Sequence, residues 1–204
     1  GNVLDIGQPS DDTVTAAKLN NDIISGQTAL TAEPDSTDEL LVSDAGTIKR
    51  IDASFFQNTP AFLAHKADQS ISDATETTIV CDTEVYDTNS AYDTSTGKFT
   101  VPSGEAGKYT FTLFTFIEHN NSNDYRQIYS VFQKNDGSVG YGSTHQLYHE
   151  NFSNNFRGCS LSYTLTLNLA AGDTVKGRVY QDNAANASRG LEQASFSGFK
   201  LIGV

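Results

Sequence analysis

The side chains with the most chemical potential lie between residues 118 and 162. His145 and His149 stand four apart, with Glu150 beside them. On a helix that spacing puts both imidazoles on one face, where they could hold zinc. The helical metalloprotease pattern places Glu directly after the first His, but Gln146 occupies that position. The surrounding YGSTHQLYHENFSNNF, residues 141–156, is also rich in Gly, Asn and Ser, which argues against a helix. On an extended chain, residues four apart share a face but lie about 13 Å apart, too far for one ion. The two histidines therefore read as exposed loop residues with no metal, and so do the isolated His65 and His119.

Carboxylates are plentiful. Glycoside hydrolysis needs two of them about 5–9 Å apart in a cleft. Glu118, Asp124 and Glu150 are the candidates, but no pattern brings them together, and they read as solvated acids. Ser160 and Ser162 lack a nucleophile-elbow motif. Asn186-Ala187-Ser188 fits the glycosylation pattern but reads as an ordinary loop. Cys81 and Cys159 could form one disulfide; a polar, acidic N-terminus without a secretory signal favours buried free thiols instead. No catalytic residue and no cofactor are expected. Calcium is the one cation to weigh, because Asp124, Asp136 and Asp182 sit in oxygen-rich stretches, yet no loop motif accompanies them. What remains is binding. Tyr141, His145, Tyr148, His149 and Asn151 combine flat apolar rings with paired donors and acceptors, which suits sugars. The alternative is that Tyr148, Phe152 and Phe156 pack beneath the loop, and both readings stand.

These residues must be positioned by strands. The stretch YDTSTGKFTVPSGEAGKYTFTLFTF, residues 92–116, reads as turn, strand, turn, strand. Pro102, Gly104 and Gly107 break it. Tyr109, Phe111 and Leu113 alternate with Thr110 and Thr112, the period of a strand with one buried face. Phe114 and Phe116 add rings to the second face, where the alternation should fail. That face must be covered, either by this chain or by another copy of it. Further strands are expected at Phe62–Lys66, Thr75–Cys81, Glu84–Tyr86, Tyr125–Lys134, Phe156–Leu169, Thr174–Gln181 and Ala194–Val204, with Asn135-Asp136-Gly137 as a hairpin turn. Residues 140–155 read as a long loop or irregular strand.

Of the 204 residues, 37% are hydrophobic, as suits many short strands under a polar surface. The net charge is −12. Residues 1–59 carry ten acidic and three basic side chains, hence −7, and the rest carries −5. This balance argues against nucleic acid and against an anionic membrane surface. No apolar run approaches the roughly 20 residues that span a bilayer, so membrane insertion is not expected.

Residues 1–58 form a connector distinct from the domain at 59–204. A short helix is expected from Asp11 to about Ile24. A hairpin follows in ELLVSDAGTIKRID, residues 39–52, with its turn at Asp44-Ala45-Gly46. Leu41, Val42, Ile48, Ile51, Phe55 and Phe56 are too much apolar surface for a disordered tail and are expected to anchor it on a partner.

The stretch at 92–116 resembles the globular-head family of complement component one-q, the jelly roll shared with tumour necrosis factor. Pro60–Ala64 resembles that family's opening strand. LNLAAGDTVKGRV, residues 167–179, resembles its late strand, Gly-Asp turn and strand, and SFSGFKL, residues 195–201, its closing strand. The resemblance implies an all-β jelly-roll β-sandwich that is trimeric, with Phe114, Phe116 and Phe199 in the trimer interface. It also implies a non-enzymatic role. The hairpin segment, more loosely, resembles N-terminal connectors of phage virion proteins. Together these imply a virion surface appendage (short fibre, spike or capsid decoration), seated on shell or tail protein through residues 1–58 and able to grip host-surface glycans. The alternative is a secreted, lectin-like adhesin or soluble ligand of cellular origin.

Overall fold

The computed structural model describes residues 25–35, 37–118, 124–139, 144–148 and 156–202, with backbone only at 145 and 148. The chain divides into two compact units, Gly1–Ser54 and Phe55–Val204.

In the first unit, β1 (Glu39–Asp44) and β2 (Thr47–Asp52) form the expected hairpin. Ala45 and Gly46 take φ values of 49° and 87°. Positive φ at both central residues is the turn that matches strand twist. Ion pairs Lys49–Asp44 and Arg50–Glu39 tie the arms. Leu41 and Ile48 are 79% and 68% exposed, so the hairpin carries apolar surface that it does not bury itself. The helix expected from residue 11 lies outside the described residues.

The second unit opens on a 3-10 turn, Ala53–Phe56, which begins at the end of the first unit and leaves Phe55 and Phe56 exposed. Twelve described strands follow: β3 (Ala61–Ile71), β4 (Thr77–Thr78), β5 (Thr83–Asp87), β6 (Tyr92–Asp93), β7 (Lys98–Thr100), β8 (Gly107–Glu118), β9 (Tyr125–Lys134), β10 (Gly137–Ser138), β11 (Thr144–Tyr148), β12 (Gly158–Leu169), β13 (Thr174–Asn183) and β14 (Arg189–Lys200). One sheet runs β12-β8-β14-β3-β5. The other runs β10-β9-β13-β7-β6, with β11 added on β9 and β4 on β13. All the ladders are antiparallel, and sequence-distant strands pair, as a jelly roll requires.

The core between the sheets is an aromatic cluster. Phe62 stacks on Tyr92 at 4.8 Å and meets Phe196 edge-on at 4.9 Å. Phe111 packs among Phe99, Phe132 and Phe196. Gly198 lies in register between Phe62 and Phe111. A Cβ there would stand 2.4 Å from the Phe111 ring and 3.0 Å from that of Phe62, so the closing strand carries Gly where the two rings converge. Gly97 is held by a different constraint: φ is +70°, and a Cβ would sit 2.3 Å from the Ile79 carbonyl oxygen.

Several boundaries differ from expectation for local reasons. The alternation on β8 does not fail after residue 113. Thr115 continues the inward face, fully buried, because its hydroxyl bonds that of Ser130 from the other sheet at 2.8 Å. The strand expected at Thr75–Cys81 shrinks to Thr77–Thr78. Beyond it the Gln69 side chain takes over, donating to the Thr78 carbonyl and accepting from the Val80 N–H. The strand expected to end at Gln181 runs on to Asn183, and the last strand, expected over Ala194–Val204, begins at Arg189 and ends at Lys200. Within residues 140–155, Thr144–Tyr148 is a strand on β9.

The Gly-Asp turn after β12 works through Asp173. Its carboxylate accepts from the Asn135 side-chain amide (2.8 Å), the Lys134 ammonium (2.7 Å) and the Ala170 N–H (2.8 Å). In that order these donors hold its pKa down at about 2. A carboxylate with a depressed folded-state pKa stabilises the fold above its unfolded value, about 3.9, and loses that contribution as pH falls through the folded value. The melting temperature is therefore expected to drop between about pH 4 and pH 2 by more in the unmodified protein than in Asp173→Asn. Scanning calorimetry across that range checks this, and equal drops would refute it.

Candidate assembly face and candidate ligand face

The alternation that fills the core with Tyr109, Phe111, Leu113 and Ile117 points the intervening residues of β8 away from it. Register extends this outer face over four strands. Taken across β12, β8, β14 and β3, one row is Ser160, Phe116, Gln193 and Ala67. The next is Ser162, Phe114, Ser195 and His65. Then come Thr164, Thr112, Ser197 and Leu63, and last Thr166, Thr110, Phe199 and Ala61. None of these positions is Asp, Glu, Lys or Arg, on a chain whose net charge is −12. Charge returns beyond the rows, at Glu118, paired to Arg157 at 2.6 Å, at Lys108, and at Lys66, which lines the hollow beside Phe114 and is paired to Asp82. Hydroxyl bonds Thr110–Thr166 (3.0 Å) and Thr112–Thr164 (2.8 Å) keep the surface low and flat.

The three phenylalanines expected at an interface all stand on this face. Phe114 and Phe116 are half-buried, and Phe199 is 39% exposed. The ladder between β8 and β14 slips between Leu191 and Gln193. Beside this bulge an open hollow of about 390 Å³ is lined by His65, Lys66, Ala67, Phe114, Gln193, Ala194 and Ser195. A flat uncharged sheet with projecting rings and a hollow is the anatomy of an interface core, where charged residues are depleted and aromatics enriched.

A model of the C1q domain matches residues 61–201. The chain belongs to the C1q-domain family. Members of this family carry a typically non-enzymatic, trimeric jelly-roll domain, the same class that the two sheets form here. Among solved structures, the globular domain of zebrafish complement 1qA protein is 19% identical, with a TM-score of 0.51. That alignment covers 70% of this chain and 98% of the zebrafish one. The Eiger TNF from S. frugiperda is 17% identical over 71% of this chain and 95% of that one, with a TM-score of 0.44. No curated protein matches the chain.

The opposite face, on the seven-stranded sheet, differs in character. Tyr129 on β9 and Tyr180 on β13 lie opposite each other and stack, with ring centroids 4.6 Å apart and planes within 8°. Glu76 accepts from the Tyr129 hydroxyl (3.0 Å), the Gln133 amide (3.5 Å) and the Arg178 guanidinium (2.8 Å). Burial, together with the Glu76 carboxylate, pushes the Tyr129 hydroxyl up to about 12. The sequence did not single out this pair, because its two halves lie 51 positions apart. The only signal was their common place in two alternating strands.

Of the expected ligand residues, His145 and Tyr148 lie on β11, which pairs with β9 beside Tyr129. Tyr141, His149 and Asn151 lie outside the described residues, as do Glu150 and His119. The acids weighed for calcium are each taken up by cations: Asp124 by Arg189, Asp136 by Lys98 and Lys176, and Asp182 by Arg126. Among the described residues no group of three His, Cys, Asp or Glu is placed to hold a metal ion. Glu118 and Asp124, weighed as a hydrolytic pair, are likewise ion-paired, to Arg157 and Arg189. Ser160 and Ser162 sit in register with Phe116 and Phe114 on the uncharged face. Cys81 and Cys159 are free thiols, and burial raises both to about 11.

Proposed function

We propose that this protein is a homotrimeric, non-enzymatic surface appendage of a bacteriophage virion. Three heads meet through the uncharged outer face of the sheet containing β8, and residues 1–58 seat the assembly on shell or tail protein. The observation that carries the trimer is the set of four charge-free rows bearing Phe114, Phe116 and Phe199. Covering the rings removes apolar area from water at about 25 cal/mol per Å². The hollow beside Phe114 gives a neighbouring copy a place to insert a side chain.

The virion seat is supported by the hairpin at Glu39–Asp52. It has the sequence character of phage connectors and holds Leu41 and Ile48 outward, with Val42 and Ile51 half-buried. A single hairpin is marginal in water, so these residues gain most when a partner covers them. The net charge of −7 on residues 1–59 favours a partner surface that is not acidic. Three anchors on one trimer reinforce one another without new contacts.

The test mixes the full chain, and separately residues 59–204, with virions assembled without the protein. The full chain is expected to sediment with the particles, and the shorter one to remain in the supernatant. Equal binding by both would make the head the anchor and overturn this division. Binding to cells but not to virions would favour the soluble-adhesin reading.

A further inference from the structure

We infer that the stacked Tyr129–Tyr180 pair, with Glu76, Gln133 and Arg178 along its border, is a binding platform for an uncharged saccharide. The inference deepens the proposed role, since it rests on a head that faces outward to attach, but it does not require the trimer.

The pair stands on the face of the domain opposite the assembly rows, so both surfaces can be used at once. Tyr129 and Tyr180 are each half-buried. Tyr129 is fixed by its bond to Glu76 and by its partner ring. The Tyr180 hydroxyl, by contrast, makes no hydrogen bond among the described residues and is available to a ligand. Rigid aromatic surface next to planar amide, carboxylate and guanidinium groups offers two things at once. The rings take the C–H face of a pyranose, and the planar groups take its hydroxyls, with water filling the imperfect contacts at little loss.

Charge decides the class of occupant. Among the described residues the ionic groups along this face are paired, Glu76 with Arg178, Asp182 with Arg126, and Asp136 with Lys98 and Lys176, except Asp73 near Tyr180, whose carboxylate accepts from the Asn183 backbone N–H (3.0 Å) and side-chain amide (2.9 Å). An anionic ligand would have to break one of these pairs on a protein already at −12. A cationic ligand would have to compete with a guanidinium for its carboxylate, or at Asp73 with the two Asn183 donors. A protein partner would have to dehydrate several ion pairs around only two rings, whereas protein interfaces concentrate desolvation on an uncharged core of hundreds of Å². A neutral, hydroxyl-rich ring needs none of this. Weak single-site binding suffices where several heads act together.

The experiment applies the full-length protein to an array of immobilised oligosaccharides. One arm holds neutral hexose and N-acetylhexosamine chains, and the other holds sialylated and sulfated chains. Binding is expected in the neutral arm. Tyr180→Ala should weaken it at least tenfold at unchanged mass, with the melting temperature lower by only a few degrees for the lost ring stacking, and Tyr180→Phe should keep binding within a few-fold. Should Tyr180→Ala fail to fold, Gln133→Ala, at the half-exposed border, is expected to weaken binding several-fold and decides the matter. Silence in the neutral arm, binding confined to the charged arm, or binding indifferent to Tyr180→Ala and Gln133→Ala would each overturn the platform. Failure here leaves the mass and the particle binding of the protein untouched, whereas failure of the assembly reading shows as a monomer.

Discussion

Replacing Phe116 by Asp is expected to convert the trimer into monomers of 22.0 kDa. Phe116 occupies the middle of a row whose other members are Ser160, Gln193 and Ala67, so no cation stands in line to receive a carboxylate. In the monomer the new side chain would sit on an open, half-exposed position and be hydrated. In the trimer it would be buried without a partner, at an effective cost of several kcal/mol per ion. Three-fold symmetry repeats that cost three times, while the lost ring contacts remove about 1–2 kcal/mol more at each site. Light scattering on the purified variant reads the mass directly. A folded variant that kept the trimer mass would mean that the rows carrying Phe116 lie outside the interface.

The second large effect is in the core. Phe62→Ala is expected to destabilise the head by about 3–5 kcal/mol, the usual range for removing a large buried aromatic side chain. The upper part of that range applies because the ring is fully buried and touches Tyr92, Phe99, Phe111 and Phe196 on both sheets. Its cavity cannot be refilled by one neighbour without moving the others. For a domain of this size the loss corresponds to a melting temperature lower by on the order of 10 °C. The comparison should be made at one fixed protein concentration, because association adds to apparent stability. A shift below 2 °C would mean that the aromatic cluster does not hold the two sheets together.

What the sequence made legible follows from how local each feature is. Tyr109, Phe111 and Leu113 announced a strand because alternation is written within one segment. Asn135-Asp136-Gly137 announced its turn because positive φ at Asn135 and Asp136 is a local demand. The second-face rings Phe114 and Phe116 pointed to a covered surface for the same reason. That the alternation continues past Phe114 was not legible, because the inward place of Thr115 depends on Ser130 in the other sheet. Glu76 and Arg178, 102 positions apart, and Tyr129 and Tyr180 meet only once the register between β9 and β13 is set and β4 is laid beside β13. The residues of 141–151 look chemical one by one and so are legible as a candidate ligand loop, whereas each half of the tyrosine pair is ordinary by itself. The charge-free rows were half legible: Phe114, Phe116 and Phe199 stood out, but their Ser, Thr and Ala neighbours became a surface only when four strands were aligned.

The central claim is that three copies share that surface, and the mass of the unmodified full chain in solution tests it most directly. Sedimentation equilibrium at micromolar concentration and physiological salt is expected to return about 66 kDa, three times the 22.0 kDa chain. A single species at 22.0 kDa would leave Phe114, Phe116 and Phe199 facing water and would contradict the account.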